Sequence, residues 1–386
     1  MKRMLMLTHM GQMIAQFNKN NIEILLGMGV EVHLAGNFSS PENTMTPEQL
    51  SNFCSEMQEK GVYVHQIDFE RGIGTVNSNR LVWRELTDLC SEFNFDYIHC
   101  QSPLGGAMGR LIGRKFDIPV IYTTHGFHFF KGSPKRNWVL FYPIEKYLAR
   151  YTDTIVTINS EDYEVAKKFV GSDNAYKIPG VGIDYDGIHE RAKQAVRSEV
   201  LGALDVPATA KVLISVGELS DRKNQIVVLK ALARIKDPNV YYIMCGIGAN
   251  KQKYVDFVKN NGLENNVRIM GYRNDVPELY GSSDVCLFPS KREGLGLAGI
   301  EAMASGLPVI SSNVNGIMEY MQDGVTGRTC SPDNVDDFVA AIADFTSHPQ
   351  LFRSIGLDNE AVAKGFDRAI ADDVMRKVYY DYCVRN

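Results

Sequence analysis

Short apolar runs bounded by turn residues alternate with helical patterns along the whole chain. In the first half, the runs that predict strands lie at residues 4–7, 30–35, 62–67, 97–100, 120–124 and 154–158. The segments between them predict helices at 16–28, 47–60, 79–93, 108–116, 137–150 and 161–169. The strands are apolar without alternation, as a parallel sheet covered on both faces requires. The first half is therefore predicted to be a doubly wound α/β domain.

A second series of the same kind follows. Its predicted strands lie at 212–216, 240–245, 267–270, 285–288 and 308–311, with helices between them. We place the domain boundary near residue 185, which gives domains 1–185 and 186–365, although the helix within 186–209 fits either half. The spacing of apolar residues predicts a last helix over 366–383. Two such domains are expected to bind a ligand at the carboxyl ends of their strands, in a shared cleft.

Composition narrows the class of protein. A length of 386 residues fits two domains, and a formal net charge of −5 gives no global footprint for nucleic acid. Seven cysteines without a Cys-x-x-Cys pair argue against a disulfide framework or a zinc site. No run approaches the ~18 apolar residues that span a bilayer. We therefore expect a cytoplasmic protein, soluble or at most peripheral at the inner face of the cytoplasmic membrane.

The most informative stretch is residues 290–308. An apolar strand ends at Pro289, and a helix is predicted at 297–304, so Glu293 falls on the loop and Glu301 about a turn inside the helix. Gly294 and Gly296 let the backbone approach a ligand, and the first helical N–H groups, from Leu297 on, suit an anion. Carboxylates accept hydrogen bonds from hydroxyls. A diphosphate with a sugar at each end, as in a nucleotide sugar, offers an anion to the N–H groups and hydroxyls to the carboxylates.

This stretch resembles the retaining glycosyltransferases of family 4, whose signature is Glu-x7-Glu, and the match continues through Ala302-Met-Ala-Ser-Gly-Leu-Pro-Val-Ile310. The resemblance implies the GT-B fold, in which two Rossmann-like domains face each other across a cleft and the last helix, here 366–386, packs back on the first domain. It also implies that Glu301 holds the ribose hydroxyls. Glu293 would contact donor-sugar hydroxyls and favour the developing oxocarbenium charge.

The segment from Gly217 to Asn224 ends the first strand of the second half. Lys223 is predicted at a helix start, where its ammonium and the exposed N–H groups could hold a diphosphate. Members of the family usually carry an arginine directly after this glycine, but Glu218 stands there, so Arg222 is the candidate substitute. A solvated charge cluster is the alternative interpretation.

Two further loops end strands of the second half. Gly246-Ile-Gly248 is interpreted as a tight turn between a strand and a helix. After Gly271, the resemblance places the nucleobase against Tyr272 or Arg273, and simple surface placement is an equal alternative.

In the first half, a strand delivers His125 to its carboxyl end, where the family has a histidine near the sugar and phosphate. We rank His128 below it. Gly11, on the first strand-to-helix loop, is a candidate for the donor phosphates, whereas His9 is interpreted as structural.

Residues 127–150 interleave aromatic and basic side chains. The pattern suits an anionic membrane surface or a pyrophosphate-lipid head group, or else a helix with core aromatics and solvated charges. The run from His125 to Asp162 resembles the capsular and exopolysaccharide branch of the family, the EpsD-like enzymes, whose acceptors are typically polyprenyl-diphosphate-linked sugars.

These observations predict a retaining transferase that moves a hexose or N-acetylhexosamine from a UDP-sugar to a lipid-linked saccharide. The sequence contains no His/Cys cluster that would suggest a metal site, and no cofactor is expected beyond the nucleotide-sugar substrate. The charge of the leaving diphosphate would then be neutralised by Lys223, helix N-termini and Arg222. The resemblance to the family implies that the diphosphate leaves and the acceptor attacks on the same face of the sugar. A GT-B UDP-sugar epimerase and a non-catalytic nucleotide-sugar-binding protein are the alternatives.

Overall fold

A computed structural model describes residues 1–43, 45–70 and 72–384, with the backbone alone at residue 384. The chain divides into two compact units, Met1–Val181 with Ala369–Asn386, and Gly182–Arg368. The sequence placed the boundary near residue 185, four residues later. The end of the predicted segment 366–386 lies outside the described residues.

The N-terminal unit contains a parallel sheet of seven strands in the order β3-β2-β1-β4-β5-β6-β7. The strands are β1 Arg3–Met10, β2 Glu31–Asn37, β3 Tyr63–Gln66, β4 Tyr97–Gln101, β5 Val120–Thr123, β6 Thr154–Thr157 and β7 Ala175–Lys177. Central β1 pairs Leu5 with His33 on one side and with Ile98 on the other. The sequence pattern missed β7, because three residues are too short for a periodic signal.

Eight α-helices belong to the described part of this unit. They are α1 Gly11–Phe17, α2 Lys19–Gly27, α3 Pro47–Glu59, α4 Val76–Phe93, α5 Pro103–Phe116, α6 Lys135–Leu148, α7 Ser160–Val170 and α16 Arg368–Val384. The single helix predicted at 16–28 is wrong in one respect: two helices meet at Asn18. The Asn18 side chain is buried and donates a hydrogen bond to the Met13 carbonyl, so it competes with continued helix at this point.

The C-terminal unit contains a parallel sheet of six strands in the order β10-β9-β8-β11-β12-β13. The strands are β8 Lys211–Val216, β9 Val240–Cys245, β10 Val267–Gly271, β11 Val285–Phe288, β12 Val309–Ser312 and β13 Gly327–Cys330. The helices are α8 Tyr185–Gln194, α9 Arg197–Gly202, α10 Ile226–Ile235, α11 Lys251–Asn260, α12 Val276–Gly281, α13 Leu297–Ala304, α14 Val335–Ser347 and α15 Pro349–Lys364. Edge strand β13 was not predicted.

The segment that the sequence could not assign, 186–209, lies in the C-terminal unit. On α8, Nδ1 of His189 lies 3.1 Å from the Ala304 carbonyl oxygen, and Arg191 makes an ion pair of 2.7 Å with Glu278. These contacts hold α8 against α12 and α13.

Helix α16 lies in the N-terminal unit, on which the family resemblance placed the last helix. Fully buried Tyr379 has its hydroxyl 2.8 Å from Nδ1 of His99, and the Tyr382 hydroxyl lies 2.8 Å from Oγ1 of Thr154. Within the described residues, none of the helices combines the length and apolar character that crossing a bilayer demands.

Both sheets are buried on two faces. In β8, the side chains of Val212, Leu213 and Ile214 are fully buried, as are those of Met4, Leu5, Met6 and Leu7 in β1. Burial of each such aliphatic side chain contributes about 1.5–3 kcal/mol, which explains why the central strands carry continuous apolar runs.

Candidate functional site

Three neighbouring strands of the C-terminal unit reach glycines of positive φ at their carboxyl ends: Gly217 (147°), Gly246 (146°) and Gly271 (71°). The amide of Gly246 donates to the Gly271 carbonyl at 2.7 Å. A Cβ atom on Gly246 would lie 1.9 Å from the Gly217 carbonyl oxygen, so packing alone requires glycine there. This edge of the sheet consequently exposes backbone rather than side chains to a ligand.

Lys223 lies beside this edge. Its Nζ lies 2.6 Å from Oε1 of Glu293 and 5.0 Å from the centre of the Phe288 ring. The predicted location at a helix start is wrong, because α10 begins only at Ile226. Asn224 adopts a left-handed conformation (φ 59°) and donates to the Pro289 and Pro332 carbonyls, which keeps the turn out of the helix.

Arg222 reaches the same carboxylate. Its Nη1 lies 3.3 Å from Oε1 of Glu293, and its Nη2 lies 3.6 Å from Glu218. Glu218 is half exposed, whereas the side chain of Glu293 is only 8% exposed. The guanidinium is therefore held between two acids beside Lys223, where it can contribute the positive charge that Glu218 does not.

The loop that carries Glu293 is fixed by its backbone. The Glu293 amide donates to Oδ1 of Asn315 at 3.2 Å, and the Gly316 amide donates to the Glu293 carbonyl at 3.3 Å. A Cβ atom on Gly316 would lie 2.0 Å from the Gly294 carbonyl oxygen, so the two loops are in close backbone contact. The Glu293 carboxylate is therefore presented from a rigid support.

Helix α13 begins at Leu297, as predicted, and the preceding Gly296 has a φ of 90°. The hydroxyl of Tyr320 donates to the Gly296 carbonyl at 3.1 Å, and the Phe288 ring occupies the space that a Cβ on Gly296 would need. In the described part of the chain, no side chain caps α13. Its first amide groups can therefore donate to an anion.

Glu301 lies on the second turn of α13. Burial raises the pKa of its carboxyl, and the nearby charge of Lys223 opposes that rise. Lys223 thus acts electrostatically on both predicted glutamates. A cation close to both carboxylates can bind a phosphate while the carboxylates accept hydrogen bonds from hydroxyls.

The two residues predicted beside a nucleobase differ in their surroundings. Tyr272 is 70% exposed and lies just past β10. Arg273 makes two hydrogen bonds with Asp275, at 2.7 and 2.5 Å. Tyr272 can therefore still stack on a base, whereas the Arg273 guanidinium is already engaged.

In the N-terminal unit, His125 follows β5 and is half-buried. Its Nε2 lies 2.9 Å from Oε1 of Gln101, and burial lowers the pKa of the imidazole to about 4. The ring of His128 packs at 4.7 Å from that of Phe141. Gly11 is the first residue of α1, and a Cβ there would lie 2.3 Å from the Phe38 ring, which explains this glycine by packing.

The basic and aromatic segment 127–150 is part core and part surface. Phe127 and Phe129 are buried, so for them the core interpretation is right. On α6, five apolar side chains are exposed: Trp138, Val139, Leu140, Ile144 and Tyr147. Five cations flank them, all exposed: Lys131, Lys135, Arg136, Lys146 and Arg150. We call these ten residues the α6 surface.

The structure brings the predicted residues of the C-terminal half together: Gly217, Arg222, Lys223, Glu293, Gly294, Gly296, Leu297 and Glu301 lie around one edge of its sheet. His125 and Gly11 lie in the N-terminal unit. Sequence reasoning missed Phe288, Tyr320 and Asn315, whose roles depend on tertiary contacts. It also missed Gln101, which as the polar end of an apolar strand could have been found. In the ranges described, no three His, Cys, Asp or Glu side chains converge to hold a metal ion.

Comparisons with known proteins find glycosyltransferases for both halves of the chain. Residues 197–374 match the family model "Glycosyl transferases group 1", and residues 15–169 match "Glycosyl transferase 4-like domain". The "Putative glycosyltransferase EpsD" of Bacillus subtilis (strain 168) is 31% identical over 79% of this chain and 81% of its own length. The UDP-Gal:alpha-D-GlcNAc-diphosphoundecaprenol alpha-1,3-galactosyltransferase of Escherichia coli is 26% identical over 78% of this chain and 79% of its own.

Among solved structures, that of Anabaena HepE in complex with UDP superposes with a TM-score of 0.75 at 18% identity, covering 99% of this chain and 100% of HepE. HepE has also been solved with UDP-glucose, and that structure has the same TM-score. At this level of identity the likeness shows the fold. Two Rossmann-like units with parallel sheets match the GT-B architecture, so the predicted fold class is confirmed.

Proposed function

The chain belongs to the group 1 glycosyltransferases of GT-B fold, and on that premise we propose that it transfers a hexose or N-acetylhexosamine from a UDP-sugar to a polyprenyl-diphosphate-linked saccharide. The observation that carries the proposal is the ion cluster of Lys223, Arg222 and Glu293, next to Glu301 and the uncapped start of α13. Cations and amide groups suit a diphosphate, and the carboxylates suit sugar and ribose hydroxyls.

The donor is assigned to the C-terminal unit. Glu301 would accept hydrogen bonds from the ribose, Lys223 and Arg222 would face the diphosphate, and Tyr272 would lie against the base. The crystallised complexes of HepE with UDP and with UDP-glucose support a uridine nucleotide as the class of donor.

The proposed mechanism is electrostatic. As the bond to the anomeric carbon breaks, negative charge grows on the diphosphate, and Lys223, Arg222 and the α13 amide groups would stabilise it without reorganising. Double displacement would require a carboxylate that attacks the anomeric carbon from the back face. Glu293 is engaged by two cations and is better suited to accept a sugar hydroxyl. We therefore infer retention through front-face attack, with the leaving phosphate as base.

The acceptor is assigned to the N-terminal unit. The name of the Escherichia coli relative states a lipid-linked acceptor, and the likeness to EpsD favours cell-surface polysaccharide synthesis. His125, neutral near pH 7, would lie near the transferred sugar.

The α6 surface supports contact with an anionic membrane, where such an acceptor would reside. Its apolar residues suit the head-group boundary, and each nearby cation adds about 1 kcal/mol of attraction. The one acidic residue of α6, Glu145, is neutralised by Arg110 at 2.7 Å.

Vesicle flotation tests this part. We expect binding to phosphatidylglycerol vesicles and loss of binding in Val139→Ser/Leu140→Ser. Ile73→Ser, which changes another exposed apolar residue of the same unit, should bind as the unmodified protein does. Equal binding of the unmodified protein and both variants would refute the α6 surface as a membrane contact.

A transfer assay tests the activity itself. Purified protein is incubated with each of several UDP-sugars, with and without a polyprenyl-diphosphate-linked monosaccharide, and products are identified by mass spectrometry. The proposal predicts an acceptor extended by one sugar and release of UDP. Conversion of the UDP-sugar without acceptor would identify an epimerase instead. Binding of UDP-sugar with no product under either condition would identify a binding protein.

A further inference from the structure

A buried polar network lies under His125. Its members are contributed by three elements, β4, β5 and α16, and by the break between α1 and α2: Asn18, His99, Gln101, Thr123 and Tyr379. All are buried, and Asn18, His99 and Gln101 are at most 1% exposed. Buried polar groups that are fully paired adopt one arrangement, because an unpaired alternative costs about 1–3 kcal/mol. The network therefore has a defined direction of hydrogen bonding.

A backbone carbonyl sets that direction. The Met13 carbonyl oxygen can only accept, so the Asn18 atom 3.3 Å away is the amide nitrogen Nδ2. The other amide atom, Oδ1 of Asn18, then faces Nε2 of Gln101 at 2.5 Å, while Nδ2 of Asn18 also donates to Oε1 of Gln101 at 3.2 Å. The orientation of the Gln101 amide follows from that of Asn18.

The Gln101 amide in turn determines the tautomer of His125. Oε1 of Gln101 lies 2.9 Å from Nε2 of His125, and an amide oxygen cannot donate. In the neutral ring, Nε2 must therefore carry the proton and Nδ1 must carry the lone pair.

The hydrogen bonds of His99 at the other end of the network are consistent with this direction of hydrogen bonding. Nε2 of His99 lies 2.8 Å from Oγ1 of Thr123, and Nδ1 of His99 lies 2.8 Å from the Tyr379 hydroxyl. When Thr123 donates to Nε2, Nδ1 of His99 donates to Tyr379, so every member is satisfied. His99 and Tyr379 are the titratable groups of the network besides His125.

We propose that Gln101 and Asn18 are positioning residues that fix His125 as the neutral Nε2–H tautomer and keep its Nδ1 as a hydrogen-bond acceptor for a substrate hydroxyl. The substrate in this statement rests on the proposed function. The tautomer does not, because it follows from the contacts of the free protein. The same contacts could serve packing alone, so the test must read the protonation of His125 and not only activity.

The test is 15N-histidine NMR of the whole protein, with the His125 signals assigned by His125→Gln among the eight histidines. We expect an Nε2-bound proton that is protected from exchange with water. In Gln101→Met, which removes the acceptor, that protection should be lost. In Gln101→Glu, the new carboxylate should raise the pKa of His125 by about 1–3 pH units and move the acidic limb of the pH–rate profile upward.

Thr123→Val is the matched control, because it disrupts the network at His99 without touching His125. Its His125 signals and titration should remain those of the unmodified protein. A proton on Nδ1, or an unchanged His125 titration in Gln101→Glu, would overturn the proposal. Absence of transfer with every UDP-sugar would instead count against the proposed function, and would leave the NMR result intact.

Discussion

Nζ of Lys223 lies 2.6 Å from Oε1 of Glu293, and Nη1 of Arg222 lies 3.3 Å from the same oxygen. Both cations are thus held in place before any ligand arrives. A phosphate that binds them must share them with Glu293. The glutamate therefore weakens anion binding slightly while it positions the groups that bind the anion.

Replacing Glu293 with glutamine should separate binding from turnover. We expect calorimetry to give a UDP affinity equal to or higher than that of the unmodified protein, because a competing negative charge is removed. Transfer should fall on the order of 10²-fold, because the carboxylate that favours the developing sugar cation is lost. A tenfold weaker UDP affinity with normal turnover would contradict this role.

Replacing Lys223 with methionine should weaken UDP binding by about 10- to 100-fold, since a charge-assisted hydrogen bond contributes about 1.5–3 kcal/mol. The matched control is Lys291→Met, which removes an exposed lysine on the Glu293 loop that pairs with Asp333 at 2.5 Å. The control should bind UDP normally. If Lys223→Met does so as well while Arg222→Met does not, the main contact with the diphosphate belongs to Arg222.

Acid should destabilise the N-terminal unit in particular. Burial lowers the pKa of His65 and His125 to about 4 and that of His99 to about 3, and it also lowers the pKa of His33. Between the unfolded value near 6.5 and these folded values, the unfolded chain binds more protons. The contribution of these histidines to the free energy of unfolding is therefore complete above about pH 6.5 and is lost as the pH falls toward 4. The loss is at most about 1.4 kcal/mol per pH unit for each histidine.

Both tryptophans, Trp83 and Trp138, lie in the N-terminal unit, so their fluorescence reports the unfolding of that unit. Urea titrations at pH 7 and pH 5 should give a lower free energy of unfolding at pH 5. His65→Gln should reduce the difference. An N-terminal unit equally stable at both values would show that these imidazoles titrate normally.

The position of α6 should depend on one buried ion pair. Arg110 is fully buried, contacts the Tyr122 ring at 4.0 Å and pairs with Glu145 at 2.7 Å. Glu145→Ala would leave a buried guanidinium unpaired, at a cost of about 3–5 kcal/mol. Glu164→Ala, which breaks the exposed pair with Lys167, should cost about 1 kcal/mol or less. Denaturant unfolding followed by tryptophan fluorescence compares the two, and similar losses would contradict the assignment.

The sequence predicted most of the fold because continuous apolar runs fix the central strands. Helix α13 was predicted to the residue, since Gly296 and Gly306 bound it. The break at Asn18 was missed, because apolar periodicity does not show that this side chain is buried and bonded to the Met13 carbonyl. The turn at Asn224 was missed for a similar reason: its side chain is bonded to carbonyls from two distant loops.

Only those residues of the candidate site that belong to a recognisable sequence motif or follow a predicted strand could be predicted. The glutamate pair was predicted from its motif, and Lys223 and His125 were predicted from their place after strands. The sharing of Glu293 by two cations was not, because periodicity says nothing about where long side chains end. The same holds for the α6 surface, where the interleaved pattern did not separate buried Phe129 from exposed Leu140.

We propose that Glu301, the second glutamate of the pair, holds the ribose of a uridine nucleotide. Isothermal titration calorimetry of UDP against Glu301→Ala tests it most directly, with Glu199→Ala, an exposed acid on α9, as the control. We expect at least tenfold weaker binding for Glu301→Ala and normal binding for Glu199→Ala. Unchanged UDP affinity in Glu301→Ala would contradict this proposal.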